Sequence, residues 1–112
     1  MLTKQEAISA CKSFQNVFED YPFDENWAVM RHIENKKSFA FIFERKGQIW
    51  INVKAEPMAC EFWCNVYASI VPAYHMNKQH WISIILDCSI NNNEIHNLIA
   101  ESYHITAKKS KI

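Results

Sequence analysis

Residues 27–54, WAVMRHIENKKSFAFIFERKGQIWINVK, contain the pattern that decides the fold. Apolar side chains alternate with other residues over 27–33 and again over 48–54, which is typical of strands with two different faces. Between them, 38–44 is a dense apolar run suited to a central strand. The chain's only glycine, Gly47, lies where a tight hairpin needs a residue free to adopt positive φ. This stretch predicts a meander of three antiparallel strands.

A helix is predicted before the meander. Thr3 and Glu6 have the spacing of a capping box, in which each side chain satisfies a backbone N–H of the first turn. The apolar residues that follow recur at spacings of four, three and four, as on one helical face: Ala7, Cys11, Phe14 and Phe18. Pro22 disfavours helical backbone at the residue before it, so the helix is predicted to end by Tyr21.

Two more helices and a strand pair are predicted after the meander. The second helix begins at Pro57. Its apolar stripe is predicted from residues four apart, Met58, Phe62, Val66 and Ile70, and is widened by Ala59, Trp63 and Tyr67. A strand over 81–86, with a short strand over 69–71 beside it, precedes a last helix capped by Asn91. The order α-β-β-β-α-β-β-α predicts an α+β two-layer sandwich over residues 1–112, with a mainly antiparallel sheet and the helices on one side.

The composition is that of one globular domain. The chain has 112 residues, 49% of them hydrophobic, and no stretch approaches the ~20 consecutive apolar residues that span a bilayer. Residues 1–15 show no secretory signal, so we expect a cytoplasmic protein. In a reducing compartment the cysteines are expected to be buried free thiols: Cys11, Cys60, Cys64 and Cys88.

The positive charge is unevenly distributed along the chain. The formal net charge is zero, which argues against strong, indiscriminate binding to nucleic acid. However, residues 26–54 carry six basic side chains against two acidic ones, whereas residues 1–25 carry two basic and five acidic ones. The tail adds Lys108, Lys109 and Lys111. Much of the positive charge therefore falls on the predicted meander.

Six short segments resemble the MmcQ/YjbR family and occur in its order along nearly the whole chain: PFD at 22–24, W-x-V-x-R-H at 27–32, FA at 39–40, VK at 53–54 with Pro57 shortly after, VPAYHMNKQHW at 71–81 and SY at 102–103. The N-K-x-H-W piece and the closing SY are the most specific of these. Trp63 departs from the family pattern, which more often has a basic residue there, and this weakens a charged site on the second helix. The resemblance implies the YjbR-like fold α-β(3)-α-β(2)-α and DNA binding through two protruding hairpins.

Two segments supply the candidate binding residues. If the first hairpin contacts a duplex, each phosphate that it neutralises steepens the salt dependence of binding. In the loop over 75–80 a lysine can meet a phosphate while an amide and two imidazoles donate hydrogen bonds. The nucleic-acid-binding candidates are Arg31, His32, Lys36, Lys37, Lys54, His75, Asn77, Lys78 and His80.

Each candidate also has a structural interpretation. Lys36 and Lys37 can be ordinary solvated hairpin residues that discourage edge pairing. Arg31 can form an ion pair, for instance with Asp87 or Glu56. In the loop over 75–80, Asn77 and His80 can form hydrogen bonds with backbone groups, while Trp81 anchors the segment in the core. Trp50 is expected to fill the space between the sheet and the helices rather than to stack on a base.

The sequence contains no recognisable catalytic or metal signature. A nucleophile held beside an oriented base has no local motif here, and one glycine cannot build a phosphate loop. Cys60 and Cys64 lie one helical turn apart, and His75 or His80 could complete a tetrahedral site, but the paired spacing usual for zinc is absent. We therefore expect no metal and no cofactor.

The sequence favours a non-enzymatic, monomeric domain that binds DNA or other nucleic acid weakly. The alternative is a protein-interaction module that uses the face or edge of the sheet. An enzyme acting on a small metabolite would require a deep pocket that joins His75 or His80 to Cys64.

Overall fold

The computed structural model describes residues 1 and 3–107, and the predicted meander lies at the centre of its sheet. The elements are α1 (Lys4–Lys12), β1 (Val17–Asp20), β2 (Ala28–His32), β3 (Ser38–Arg45), β4 (Gln48–Lys54), α2 (Pro57–Val66), β5 (Ile70–Pro72), β6 (Trp81–Ile85) and α3 (Asn92–Thr106). Within these residues the strand order is β1-β2-β3-β4-β6-β5, and all neighbouring pairs are antiparallel. The predicted α+β class is confirmed, with one strand added before the meander. Lys108, Lys109 and Lys111 lie outside the described residues.

The first helix is shorter than predicted. The capping box of Thr3 and Glu6 is present, but α1 ends at Lys12 and the chain then reverses through Asn16, whose φ is 57°. Residues 17–20 continue as β1, which pairs with β2 in the register Val17↔His32. The helical spacing of Phe14 and Phe18 was therefore misleading. A β-branched and an aromatic residue after an Asn fit a strand better.

Two local irregularities shape the meander. Lys46 and Gly47 both have positive φ, 54° and 75°, as a type I′ hairpin turn between β3 and β4 requires. Between β2 and β3 the pairing moves from Met30↔Ala40 to Arg31↔Ser38, so Phe39 is the extra residue of a β-bulge. The bulge turns the Phe39 ring into the core.

The core lies between one face of the sheet and the helices. Alternation along the strands places a set of buried apolar residues on this face: Ala28, Met30, Ala40, Ile42, Ile51, Val53, Ile82 and Ile84. From α3, Ile95, Leu98 and Ile99 pack against them, as the amphipathic pattern of the sequence predicts. None of the helices in the described residues has the length and apolar character needed to cross a membrane.

The buried face of α2 agrees with the predicted stripe only in part. Met58, Phe62 and Val66 are 85%, 56% and 50% exposed. Cys60 is buried instead, and the residues expected to widen the stripe pack against the core: Ala59, Trp63 and Tyr67. Ile70, the fourth residue of the predicted stripe, belongs to β5 and is buried. Because α2 is apolar around most of its circumference, residue spacing alone does not select the side that packs.

Candidate functional site

The face of the sheet that points away from the helices, here called the outer face, carries large aromatic rings. Phe41, Phe43 and Trp50 alternate with core residues and so project to this side. Phe43 is 1% exposed and Trp50 is 7% exposed. Trp50 is therefore buried as expected, but on the face away from the helices rather than between the sheet and the helices. An outer sheet face often contacts water directly, so this burial means that other parts of the chain cover it.

Two segments cover the outer face, residues 21–27 and residues 73–80. Trp27 stacks on Phe43 with ring centroids 4.0 Å apart and planes 10° apart. From the other segment, the Tyr74 ring lies 5.9 Å from that of Phe43. Aromatic ring contacts therefore hold the end of the first segment and the start of the second against the sheet.

A buried polar network fixes the second segment to the strands. The Ser83 hydroxyl donates to the side-chain oxygen of Asn52 and accepts the backbone N–H of Tyr74 at 2.9 Å. The Asn52 amide nitrogen in turn donates to the Tyr74 carbonyl at 3.0 Å. Asn52 and Ser83 are fully buried. Without these hydrogen bonds, their polar groups would be buried without partners, which would destabilise the folded state.

A cation is already held on the outer face by ring contacts. The Arg45 guanidinium lies 4.8 Å from the Trp50 ring centroid and 4.2 Å from that of Tyr74. Such contacts stabilise a cation through the negative faces of the rings. The outer face is therefore chemically suited to positive groups.

A cavity of about 350 Å³ opens between the two covering segments. Its walls are Phe23, Asp24, Trp27, Phe41, His75 and Met76. Of the sequence candidates, only His75 is among them. A volume of this size is within the range of small-molecule sites.

The cationic candidates gather at one end of the sheet. In an antiparallel meander, the end of β2, the start of β3, the end of β4 and the start of β6 all meet there. Arg31 pairs with Ser38, and farther along the same row the Ala55 N–H donates to the His80 carbonyl at 2.9 Å. With about 4.8 Å between neighbouring strands, Arg31 and Lys54 are roughly 10 Å apart across the sheet. We call this the cationic end, defined by Arg31, Lys36, Lys37, Lys54 and Lys78.

Arg31 is committed to contacts within the chain. Its Nε donates to Asp20 at 2.9 Å and its Nη1 donates to the Lys36 carbonyl at 3.0 Å. The ion-pair interpretation holds, but the partner is Asp20 on the unpredicted strand β1 rather than Asp87 or Glu56. The positive charge of Arg31 is therefore largely neutralised by Asp20.

His32 is a core residue rather than a surface one. It is 5% exposed, and its Nε2 lies 2.8 Å from the Thr106 hydroxyl of α3. Burial lowers the pKa of His32, against opposing effects of the Tyr103 backbone and Glu34. The structure therefore removes His32 from the candidate contacts.

The lysines of the cationic end are available to solvent to different degrees. Lys36 and Lys37 are exposed in the β2–β3 turn, with the Lys36 ammonium 5.2 Å from the Phe18 ring. Lys54 is half-buried and follows Asn52 onto the outer face. Within the described part of the chain the ion pairs involve Lys12 and Arg31, and none of these lysines has a carboxylate partner.

The loop before β6 combines a structural and a surface role. The Asn77 side chain accepts the backbone N–H of Gln79 at 2.8 Å, which confirms a backbone-satisfying role. Trp81 anchors the end of the loop by an edge contact with Phe41, their centroids 5.5 Å apart. Lys78 is exposed but is turned toward α2, where it lines a second cavity of about 530 Å³ together with Glu61.

The structure does not bring His75 together with Cys60 and Cys64. His75 lines the first cavity, whereas Cys60 and Cys64 line the second. Burial raises the pKa of both thiols, which disfavours the nucleophilic thiolate. Among the residues that the structure describes, no group of three His, Cys, Asp or Glu side chains is placed to hold a metal ion.

All four cysteines are free, but they are not all buried. Cys11 and Cys60 are buried, Cys64 is half-buried and Cys88 is exposed. Cys88 lies just after β6 with a φ of 68°, in a turn rather than in an element that faces the core. The expectation of buried thiols is therefore wrong for Cys88.

Sequence reasoning missed the aromatic cavity. Phe23 and Asp24 were noted as part of the PFD motif, and Met76 as part of the 71–81 motif, but no pattern linked them to Phe41. The available signal was Phe23 itself, an aromatic residue between a proline and an acidic residue in a loop. Such a ring has no strand or helix to bury it, and it is 68% exposed.

The fold and its covered outer face define a small α+β sandwich with helices on one side of an antiparallel sheet. The model of the YjbR family matches residues 12–105. The chain belongs to the YjbR family, and the resemblance read from its motifs is confirmed.

Relatives and solved structures agree with this assignment. The uncharacterized protein YyaQ of Bacillus subtilis is 36% identical over 95% of this chain and 99% of its own length. The uncharacterized protein YbdF of Escherichia coli O157:H7 is 36% identical over 76% of this chain and 68% of its own. The crystal structure of Deinococcus radiodurans DR2400, a DUF419 domain, has a TM-score of 0.87 at 26% identity, covering 97% of this chain and 81% of that one. A Pseudomonas syringae crystal structure has a TM-score of 0.82 at 28% identity, covering 94% and 99%.

Proposed function

We propose that this protein is a non-enzymatic domain that binds nucleic acid weakly through the cationic end of its sheet. The observation that carries the proposal is convergence: a hairpin turn, the end of a central strand and a distant loop bring their lysines to one end of the molecule. Ammonium groups at such an end can neutralise neighbouring phosphates without reading bases.

The contacting residues are a subset of those expected from the sequence. Lys36, Lys37, Lys54 and Lys78 lack carboxylate partners among residues 1 and 3–107 and supply the phosphate contacts. Arg31 shapes the turn instead, because its Nη1 holds the Lys36 carbonyl. His75, Asn77 and His80 remain as hydrogen-bond donors on the loop.

The expected affinity is low. The net charge of the chain is zero, so no long-range field concentrates a polyanion around it. Four phosphate contacts give a slope of log K against log salt of roughly −3.6 for a duplex, or about a 100-fold loss of affinity from about 50 to about 200 mM salt. Glu61, which lines the same cavity as Lys78, lowers the expected affinity further.

Fluorescence anisotropy with a labelled duplex tests the proposal. The wild type should bind in the micromolar range or more weakly at about 50 mM salt, and Lys54→Ala and Lys37→Ala should each lower the salt slope by about 1. Lys46→Ala is the matched control, because Lys46 lies in the turn at the opposite end of the eight-residue strand β3, about 25 Å away. Absence of binding at the lower salt, or an equal effect of Lys46→Ala, overturns the proposal.

A second candidate function is protein interaction, and the exposed side of α2 favours it. Met58, Phe62 and Val66 occur at intervals of four and form an apolar stripe on the solvent side of the helix. Such a stripe can pack antiparallel against the same stripe of a second copy, as in a symmetric dimer. The expected sheet face is covered by residues 21–27 and 73–80, so α2 replaces it as the contact surface.

Sedimentation velocity from micromolar to millimolar protein tests this second candidate. A dimer that Phe62→Glu abolishes, while Phe23→Ala leaves it intact, supports an interface on α2. A monomer at every concentration contradicts it and agrees with the oligomeric state expected from the sequence.

A further inference from the structure

Three rings stand at steep angles around the cavity on the outer face. The planes of Phe23 and Trp27 meet at 89° with centroids 6.4 Å apart. Those of Trp27 and Phe41 meet at 71°, also with centroids 6.4 Å apart. Rings in this arrangement present more than one aromatic face to the same space, which is the geometry of an aromatic cage.

The cage has two fixed walls and one open wall. Trp27 cannot turn freely because its other side is stacked on Phe43 at 4.0 Å, and Phe41 is a buried strand residue at the floor. Phe23, by contrast, is 68% exposed although it is a large apolar side chain. A ligand between Phe23 and the floor would bury surface that the free protein leaves in water.

A carboxylate is held at the rim of this cage. The Asp24 Oδ1 atom accepts the backbone N–H groups of Asn26 at 2.8 Å and Trp27 at 3.2 Å, which fixes the side chain in a turn. The Lys4 ammonium donates to the backbone carbonyls of Glu25 and Asn26 and not to a carboxylate. The Asp24 charge is therefore not cancelled by an ion pair among the described residues.

The sequence around Asp24 is acidic. Residues 19–25 contain four acidic and no basic side chains. Glu19 is paired with Lys12 and Asp20 with Arg31. Asp24 is the acidic residue of this segment that lines the cavity. A neutral or anionic ligand would gain nothing from this charge, whereas a cation would.

We propose that the cavity binds an organic cation with an alkylated ammonium head, such as a trimethylammonium group. A bare ammonium needs hydrogen-bond acceptors to replace its water, and the walls are mostly rings and the Met76 thioether. An alkylated ammonium is weakly hydrated, so it exchanges water for ring faces at low cost. Its charge faces Asp24, and its methyl groups face Phe23, Trp27 and Phe41.

The cation site lies apart from the lysines of the cationic end and goes beyond the proposed function. The Arg45 guanidinium shows the same chemistry on the same face, at 4.8 Å and 4.2 Å from two ring centroids. The two sites share no proposed contact residue except His75. A failure to bind nucleic acid would therefore not contradict the cation site, and a failure to bind the cation would not contradict the nucleic-acid site.

An NMR titration of the ¹⁵N-labelled protein with choline tests the site at constant ionic strength. Choline should shift the amides of residues 23–27 and 75–76 and the Trp27 indole N–H, with millimolar affinity. Its uncharged carbon analogue, 3,3-dimethylbutan-1-ol, should bind at least about fivefold more weakly, because it lacks the cation–π and carboxylate attraction. Equal affinity for the two compounds overturns the proposal, as does the absence of shifts at these residues.

Matched variants separate the parts of the site. Asp24→Asn keeps an oxygen that can accept the turn hydrogen bonds but removes the charge, and should weaken choline about fivefold while leaving the neutral analogue unchanged. Phe23→Ala should weaken both ligands, while Phe62→Ala, an exposed aromatic on α2, should weaken neither. Comparison of choline with a short peptide that contains trimethyl-lysine shows whether the ammonium comes from a small molecule or a protein side chain. If Asp24→Asn binds choline as the wild type does, the assignment of a cation site is wrong.

Discussion

Ser83→Ala should destabilise the protein by about 2–4 kcal/mol, since it leaves two partners without a hydrogen bond. The Ser83 hydroxyl is fully buried and joins the Asn52 side-chain oxygen to the backbone N–H of Tyr74. A buried group left unsatisfied costs roughly 1–3 kcal/mol. Tyr74 is only half-buried, so its N–H recovers part of that cost from water.

Urea unfolding followed by circular dichroism measures this loss, and thermal unfolding should show a fall of roughly 8–16 °C in Tm. The control is Ser9→Ala, which changes an exposed serine on α1 and should alter the free energy of unfolding by less than about 0.5 kcal/mol. Amide exchange at residues 73–76 should also accelerate, because the network anchors that segment to the sheet. If Ser83→Ala unfolds within about 0.5 kcal/mol of the wild type, the network does not hold the loop as described.

Two further predictions concern buried titratable side chains. Burial lowers the pKa of His32 from its ordinary 6.5. Just below pH 6.5, His32 is therefore protonated in the unfolded chain but still neutral in the folded one. Stability is therefore full above about pH 6.5 and falls as the pH drops, by at most about 1.4 kcal/mol per pH unit. Urea midpoints should show this slope in the wild type and in His104→Gln, an exposed control, but a smaller one in His32→Gln; an unchanged slope in His32→Gln contradicts the assignment. Burial raises the pKa of Cys11 to about 12, so a thiol reagent near neutral pH should modify exposed Cys88 first and Cys11 only on unfolding. Peptide mass spectrometry gives the order, and equal rates at the two cysteines would refute it.

Local signals predicted much of the fold. The cap at Thr3, the Gly47 turn, Pro57 at the start of α2 and the cap at Asn91 each act within a few residues, and all are present. The errors arose where tertiary contacts decide. Val17–Asp20 became a strand because β2 offers an edge to pair with, and no local pattern reports that edge.

In the candidate site, too, local sequence signals were informative and contacts between remote residues were not predictable. Charge clustering in residues 26–54 predicted basic side chains on the meander, but not that they would divide between its two ends. Arg31, Lys36, Lys37 and Lys54 lie at one end, because antiparallel strands return to the same ends, whereas Arg45 and Lys46 lie at the other. Spacing could not show that Asp20 would neutralise Arg31 or that α3 would bury His32, since both partners are remote or lie on an unpredicted element. The aromatic cavity depends on residues from two loops and one strand, and only the folded chain brings them together.

Chemical-shift mapping with a short DNA duplex tests the central claim, that the cationic end contacts phosphates. At about 50 mM salt, amides of residues 34–37, 54–55 and 77–80 should shift, and those shifts should largely disappear at about 200 mM. Residues 46–47, in the turn at the far end of β3, should stay unchanged. Shifts of similar size at both ends, or none at the cationic end, would contradict the account.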